Sequence, residues 1–203
     1  MVEMPHVLPR KIADAALRVF AERGSEQASV SELARAASVT RATIYNNCPE
    51  PGAIFQMVAR QLATELQQSI AFANRPVEDP AARLSAGIGH FLRRAHKEPA
   101  WGGFLVRFAL TTEALRPMLL GQPARDVMEG IETRRFTIGA DQVPAALAMI
   151  GGSVLSHIAL MQDGMVPWRK AAADLSEFVL RSLGLDAREA REIARRDLPE
   201  LGL

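Results

Sequence analysis

Apolar side chains recur at intervals of three and four residues along most of the chain, which is the spacing of one face of an α-helix. The first such run places Ile12, Ala16, Val19 and Phe20 on one face and ends at Gly24. Glycine readily adopts the left-handed conformation that closes a helix. No stretch of useful length alternates apolar and polar residues as a half-buried strand does. The pattern therefore predicts an all-α fold.

Two short helices follow, and each begins at a side chain that can cap it. Ser29 and Glu32 have the spacing of a capping box, in which each side chain bonds to a backbone N–H near the other. Thr40 is a second N-cap, and the helix after it spans Arg41–Asn47. Residues 37–40 form only a tight corner between the two helices, so this region is predicted to be a helix-turn-helix unit.

The rest of the chain is predicted to be helical as well. Pro51 suits the first position of a long helix that continues to about residue 73. Asp79 and Pro80 provide an N-cap and a first-turn proline for the next helix, which ends near residue 97. Asp186 and Glu189 form another capping box, at the start of a last helix that runs to residue 196. The remaining predicted helices cover residues 100–111, 113–120, 123–135, 142–162 and 168–183.

Composition excludes several classes of protein. The chain has 203 residues, which fits one domain or two small ones, and its single cysteine, Cys48, excludes an internal disulfide framework and a cysteine-based zinc site. The four histidines have no metal-ligand spacing, and no catalytic or phosphate-loop motif is present. We therefore expect no enzyme activity, no catalytic residue, no metal and no cofactor. A net charge of +1 gives no support for nucleic-acid binding, which must be argued from local placement.

One apolar segment needs a membrane test. Residues 142–162 carry no charge over 21 residues, but they include Pro144 and a pair of glycines and are flanked by Asp141 and Asp163. A membrane helix of this length is usually more apolar and has basic flanks. We interpret the segment as a helix buried on most of its circumference in a soluble bundle. No membrane partner is expected, and the predicted location is cytoplasmic.

The predicted second helix of the helix-turn-helix unit has the side chains that base reading requires. The major groove admits one helix, whose N-terminal residues contact base edges. Arg41 can bond to guanine, Thr43 can donate or accept, and Ala42 can contact a thymine methyl group. Side chains one turn later can donate to phosphate oxygens, and the start of the preceding helix offers an anion site. The predicted DNA-binding residues are Ser29, Thr40, Arg41, Ala42, Thr43, Tyr45, Asn46 and Asn47.

These residues resemble the DNA-binding region of TetR-family transcriptional regulators. The resemblance rests on the runs IADAALRVFAERG at 12–24 and SVSELARAASVTRATIY at 29–45. It implies a homodimer that binds a palindromic operator and releases it when a small-molecule effector enters the C-terminal half. The implied organisation is a mobile arm at 1–9, a three-helix DNA-binding domain at 10–56, and a helical ligand-binding and dimerisation domain at 57–203.

The chain departs from the family pattern in three places. Ser38 stands where the family often has glycine, which predicts some strain in the turn. Asn47 and Cys48 replace a common His-Phe pair, and Cys48 is expected to be a smaller buried substitute. Residues 50–52 are Glu-Pro-Gly where the family tends to have Ser-Lys-Glu, which removes a phosphate-contacting lysine. These departures motivate an alternative function, a helical dimeric adaptor whose helix-turn-helix no longer binds DNA.

Two further sets of residues are predicted in the C-terminal half. Aromatic and methionine side chains at helical spacing are often plain core, but they also suit an apolar effector cavity with few polar groups. The predicted ligand-binding residues are Trp101, Phe104, Arg107, Phe108, Met118, Met128 and His157. By the resemblance, two helices from each subunit form the dimer interface. Its predicted residues are Leu147, Ile150, Val154, Leu155, Ile158, Met161, Leu175, Phe178, Val179 and Leu183.

Overall fold

The computed structural model describes residues 7–73 and 77–198. Within them the chain forms eleven α-helices and no strand, so the prediction of an all-α fold is confirmed. Short 3₁₀ turns at Pro51–Ala53, Glu113–Leu115 and Ala140–Gln142 precede α4, α7 and α9. The helices are α1 (Arg10–Arg23), α2 (Val30–Ala36), α3 (Arg41–Asn47), α4 (Ile54–Ala73), α5 (Pro80–Lys97), α6 (Pro99–Phe108), α7 (Arg116–Leu120), α8 (Gln122–Glu132), α9 (Val143–Gln162), α10 (Trp168–Ser182) and α11 (Ala187–Ala194).

The signals that begin and end the first helices act as predicted. Gly24 closes α1 in the left-handed conformation, at a φ of 63°. Ser29 and Glu32 form both bonds of the capping box at the start of α2, and the Thr40 hydroxyl accepts the backbone N–H of Thr43 at the start of α3. Ser38 in the corner between them has a φ of 51°, a region that glycine occupies without strain and L-residues occupy at a cost.

The last residues of the predicted mobile arm at 1–9 contact the folded part of the chain. Leu8 is only 1% exposed and belongs to the hydrophobic core, and α1 begins two residues later. Residues 1–6 lie outside the described part of the chain. The predicted boundary between residues 56 and 57 falls inside α4, which runs without a break from the helix-turn-helix unit into the C-terminal bundle.

Helix α5 is the centre of the C-terminal bundle and packs against α6, α8, α9, α10 and α11. Asp79 caps it as predicted, by accepting the backbone N–H of Ala81, and also forms an ion pair with Arg135. The same Arg135 contacts Glu189 at 2.8 Å. This contact explains a difference from the sequence prediction. Asp186 caps α11, but Glu189 faces Arg135 and does not complete a capping box.

Helix α9 is the uncharged segment noted in the sequence. Together with the turn before it, it is long and apolar enough to cross a membrane, with a mean hydropathy of 1.7. Nevertheless 44% of its most apolar window is buried inside the protein, and α9 packs against α5, α6, α8 and α10. A helix with this many protein neighbours is a core helix of the bundle.

A cluster of four phenylalanines joins the two ends of the molecule. Phe20 comes from α1, Phe55 from α4, and Phe104 and Phe108 from α6. The ring of Phe55 lies 5.2 Å from that of Phe20, 5.4 Å from that of Phe104 and 5.0 Å from that of Phe108, measured between centroids. All four side chains are buried, so the helix-turn-helix unit and the bundle share one continuous core.

Candidate functional site

Helix α3 presents a polar surface next to the helix-turn-helix corner. Arg41, Ala42, Tyr45 and Asn46 are exposed, and the Tyr45 side chain keeps 49% of its surface accessible. Ile44 points the other way and is fully buried. The helix is therefore anchored by one apolar side chain and leaves its opposite face open along its whole length, the arrangement that groove insertion needs.

Three of the predicted DNA-binding residues on and beside α3 already have partners within the helix. The Thr40 hydroxyl accepts the backbone N–H of Thr43 at 3.1 Å, and the two threonine hydroxyl oxygens lie 2.9 Å apart. The Asn47 amide donates to the carbonyl oxygen of Thr43 at 2.8 Å. Arg41, Tyr45 and Asn46 have no hydrogen-bond partner among the described residues, so their polar atoms are the ones available to DNA.

Ser29 does not leave an empty anion site at the start of α2. The Glu32 carboxylate accepts both the backbone N–H and the hydroxyl of Ser29, at 2.9 and 2.8 Å. It also forms an ion pair with Arg23 at 2.6 Å. These Ser29 bonds hold the pKa of Glu32 below its usual value. The Glu32 carboxylate therefore already occupies the position that a phosphate would take at the start of α2.

Cys48 closes α3 and occupies a core position, as its sequence context predicts. It is 2% exposed, and its thiol donates to the carbonyl oxygen of Glu50 at 2.9 Å. The sulfur also lies 3.5 Å from the Met57 sulfur on α4. Burial raises the pKa of the thiol. Cys48 thus supports the junction between α3 and α4 from the inside.

The seven predicted ligand-binding residues do not line one cavity. Phe104 and Phe108 belong to the buried aromatic cluster at the junction, and Trp101 is fully buried with the Arg94 guanidinium 4.8 Å from its ring centroid. Met128 is 38% exposed on α8. The sequence shows which of these side chains are apolar, but it does not show which neighbours pack on them.

The two polar members of that set lie apart as well. Arg107 donates to the carbonyl oxygen of Gly103 and lies against Gly24, where an added Cβ would be 3.4 Å from the Arg107 Nε. It therefore belongs to the contact between α1 and α6. His157 bonds through Nδ1 to the carbonyl oxygen of Ser153, on its own helix, at 2.8 Å. Of the seven residues, only Met118 lines the apolar cavity described next.

An apolar cavity of about 50 Å³ lies inside the bundle, between α4, α5, α7, α8 and α9. We call it the central cavity. Gly87 leaves it open on the α5 side, because a Cβ added there would meet nothing within 4 Å. Its lining residues are Leu66, Gln67, Arg83, Leu84, Gly87, Ile88, Phe91, Pro117, Met118, Gln122, Pro123, Asp126, Ile150, Gly151 and Val154.

One end of the central cavity is polar and closely bonded. Asp126 is 2% exposed, and its Oδ1 accepts from Arg83 Nε at 2.7 Å and from Gln122 Nε2 at 3.0 Å. Arg83 also pairs with Glu129 and donates to the backbone carbonyl of Glu78 at 2.7 Å. Burial raises the pKa of Asp126, although both hydrogen bonds oppose the shift. A single buried carboxylate and its arginine therefore form the charged group of the cavity.

Most of the predicted dimer residues are buried within the core of the single chain. Eight of the ten are buried within the chain: five on α9, two on α10, and Leu183, which caps α10. Met161 is partly buried. Ile150 and Val154 line the central cavity. Phe178 is the exception, with 64% of its surface exposed.

The outer face of α9 is apolar as well, and sequence reasoning missed its residues. Met149 and Leu160 are each 36% exposed, and Ala145, Ala148 and Ser156 are exposed beside them. A signal for this face was present, because a helix without charges around its whole circumference has two sides to bury. We use the name outer apolar face for Met149 and Leu160 on α9, the small exposed residues of α9, and Phe178 on α10.

Two family models match the chain. One, for bacterial regulatory proteins of the tetR family, matches residues 12–47, which contain most of α1 and all of α2 and α3. The other, for a tetracyclin repressor-like C-terminal domain, matches residues 79–196, which is more than half of the chain. The search of curated proteins finds no match.

Solved structures with the same fold cover nearly all of the chain. RolR in complex with resorcinol is 28% identical, with a TM-score of 0.71, and the match covers 95% of each chain. RolR without ligand is 29% identical, with a TM-score of 0.68, over 96% of this chain and 100% of RolR. FadR from Bacillus subtilis, in complex with stearoyl-CoA, is 20% identical with a TM-score of 0.70, over 84% of this chain and 96% of FadR.

Proposed function

Because this chain belongs to the TetR family of bacterial transcriptional regulators, we propose that it is a dimeric repressor that leaves its operator when a small effector enters the central cavity. The protein is a DNA-binding regulator of this family, and its place of action is the cytoplasm, where the operator is. The observation that carries the proposal is the open polar face of α3, supported by one buried side chain, Ile44.

The DNA contacts divide by chemistry. Arg41 is at the first position of α3 and is exposed, so its guanidinium can bond to the guanine edge in the major groove. Tyr45 and Asn46, one turn later, reach phosphate oxygens. Thr40 and Thr43 act first as the cap that fixes the direction of α3. Ala42 offers a methyl group to a thymine.

Two copies of the chain pair through the outer apolar face. Exposed apolar side chains on the outside of a bundle are typical of an interface. Phe178 is the largest exposed side chain on it, and the small residues of α9 permit close approach of a second helix. A two-fold contact would pair each patch with itself and place two α3 helices on successive major grooves of a palindrome.

A charge in this face tests the dimer. Phe178→Glu is expected to give monomers in sedimentation velocity, because the carboxylate would be buried without a partner at the two-fold contact. Leu110→Glu is the matched control, since Leu110 is 70% exposed in the turn after α6. A Phe178→Glu protein that sediments like the wild type would exclude this interface.

The central cavity favours a small ring with one or two hydroxyl groups. Its walls are apolar, while Arg83, Gln122 and Asp126 at one end offer donors and an acceptor. RolR, which is 28% identical over 95% of the chain, binds resorcinol. A phenol or benzenediol is therefore the effector class that we propose for this protein.

Ligand entry requires the cavity to open. Its volume of about 50 Å³ is smaller than the roughly 150 Å³ of a protein cavity known to hold a benzene ring. The helices around it must therefore move apart. Leu66 and Gln67 carry such a movement into α4, and the Gln67 amide donates to the carbonyl oxygen of Pro117 at 2.7 Å. Helix α4 begins next to α3, so a shift of α4 moves the DNA-contacting surface.

Filling the cavity tests this mechanism. Gly87→Leu is expected to abolish binding of resorcinol in calorimetry, while operator binding in fluorescence anisotropy stays near the wild-type value and no longer responds to resorcinol. Gly87→Ala is the graded control, since its Cβ meets no atom within 4 Å. If Gly87→Leu binds resorcinol as the wild type does, the effector enters elsewhere. If the wild type binds neither resorcinol nor phenol, the proposed effector class is wrong.

A further inference from the structure

A second and much larger opening lies on another side of the bundle, between α5, α10 and α11. It is a surface groove of about 750 Å³ and shares no lining residue with the central cavity. Its α5 side runs from Ala82 to Lys97, a distance of about 22 Å at the helical rise per residue. The floor consists largely of small side chains, including Ala86, Gly89 and Ala173. We call it the α5–α10 groove.

Cationic side chains outnumber acidic ones in the lining of this groove. Its lining includes five lysines and arginines but one acidic residue, Asp197. Arg93, Lys97 and Arg169 form no ion pair with any described residue. Arg93 is half-buried, which makes an unpaired charge there more expensive than one that is fully hydrated. An acidic group bound beside Arg93 and Lys97 would relieve this cost.

The cationic end of the groove also carries aromatic surface. The His96 ring stacks on Trp168 with centroids 6.2 Å apart, and the Arg169 guanidinium lies 4.6 Å from the centroid of the Trp168 ring. Trp168 is thus held in place at the point where cations and apolar floor meet. This combination suits a ligand with an acidic head and an apolar chain, because each part finds its own type of surface.

The groove stays open in the proposed dimer. Ala172 lines it, and Phe178 of the outer apolar face is six residues further along α10, about 240° around the helix. The middle of the floor is partly covered from within the chain, since Leu198 packs so closely that a Cβ on Gly89 would lie 2.4 Å from its Cδ2. The surface between Gly89 and Lys97 lies beyond this contact, towards the cations.

We propose that the α5–α10 groove is a second ligand site, which binds an amphipathic anion with its acidic group at Arg93 and Lys97 and its apolar chain along the floor. The acid accepts charge-assisted hydrogen bonds from the two cations. The chain covers the small side chains of α5 and α10 and passes Trp168. This site is independent of the central cavity and of the effector class proposed for it.

Fluorescence of Trp168 gives a direct test. The probe is 6-bromohexanoate, whose bromine quenches a nearby indole and lies on a chain short enough to remain beside Trp168 when the acid is at Arg93 and Lys97. Trp101 is fully buried elsewhere in the core, so saturable quenching that disappears in Trp168→Phe reports the groove. The uncharged probe 6-bromo-1-hexanol has the same chain and should quench much less. Equal quenching by the acid and the alcohol would overturn the proposal, because it would remove any role for the cations.

Paired variants locate the acidic group. Arg93→Gln with Lys97→Gln is expected to weaken binding of the bromo acid about tenfold, equivalent to about 1.4 kcal/mol. The matched control is Arg60→Gln with Arg116→Gln, two exposed arginines outside the groove with no ion pair among the described residues. Quenching that both double variants reduce equally contradicts the assignment. So does quenching that Gly87→Leu abolishes, because the probe would then occupy the central cavity.

Other occupants of the groove give different results. If a second copy of the chain covers it, quenching declines as protein concentration rises. If residues 199–203 fill it, the full chain shows no saturable quenching at any concentration. Either result overturns the proposal.

Discussion

The α3 surface and the central cavity differ in how much of the rest of the fold each one depends on. Seven consecutive residues make α3, and its exposed side chains have little to do with holding the fold together. The cavity draws its walls from five helices, and its charged group, Arg83 with Asp126, is among the most enclosed polar contacts of the bundle. In the proposed mechanism α3 contacts DNA without rearranging, whereas the cavity must open before a ligand can enter.

This difference separates recognition from stability. The exposed side chains of α3, such as Arg41 and Tyr45, can change without a structural penalty, so substitutions of them report DNA contacts alone. A side chain at the cavity takes part in the core, so a substitution there changes ligand binding and folding together. The aromatic cluster around Phe55 connects α1, α4 and α6, so the two regions belong to one packed core.

The strongest way to expose the contrast is to remove one partner of the cavity ion pair. Arg83→Met is expected to lower the free energy of unfolding by about 3–5 kcal/mol at neutral pH, because Asp126 remains buried without its arginine. Arg10→Met, which breaks an exposed ion pair with Asp14, should change it by less than about 1 kcal/mol. Urea denaturation measures both. A loss below 1 kcal/mol for Arg83→Met would show that the Arg83–Asp126 pair contributes little to the stability of the fold.

The pH dependence of that loss follows from the same pair. Burial raises the pKa of Asp126 above its unfolded value, so the folded state binds the proton more tightly and stability falls as pH rises between the two values. Without Arg83 the folded pKa rises further. The destabilisation by Arg83→Met should therefore be smaller at pH 4 than at pH 7. A loss that is equal at both pH values would mean that water reaches Asp126.

The α3 surface should respond in the opposite way. Arg41→Ala is expected to weaken operator binding by about 1–3 kcal/mol at one base pair and to relax specificity there, with unfolding unchanged. Tyr45→Phe is the companion variant, and it should weaken binding to all sequences alike. Anisotropy titrations with single-base operator variants distinguish the two. If Arg41→Ala keeps the full sequence preference, α3 does not read bases.

The smallest expected effect lies at the corner before α3. Ser38→Gly should raise the free energy of unfolding by about 0.5–1 kcal/mol, since glycine relieves the strain of the positive φ, while its greater entropy in the unfolded chain offsets part of that gain. Operator affinity should stay the same, because the backbone already has this shape. If Ser38→Gly is instead less stable than the wild type, the serine side chain itself stabilises the turn between α2 and α3.

What the sequence could predict depends on how far apart the partners are along it. The caps at Ser29, Thr40 and Asp79 act within three residues, and the structure confirms each of them. The central cavity joins Leu66 to Val154 across five helices, and no local pattern shows which side of each helix faces inwards. The sequence predicts Phe104 and Phe108 as ligand-binding residues, whereas both pack in the core against Phe55, which comes from another helix.

The buried thiol at the end of α3 has a practical consequence for chemistry on this protein. Cys48 is the only cysteine in the chain, and burial disfavours its thiolate form. Maleimides and iodoacetamide should therefore react with it only slowly. A new cysteine at an exposed position such as Asn46 would then be the only reactive thiol of each subunit. In the proposed dimer, spin labels attached there would measure the separation of the two α3 helices directly, without any background from the native sequence.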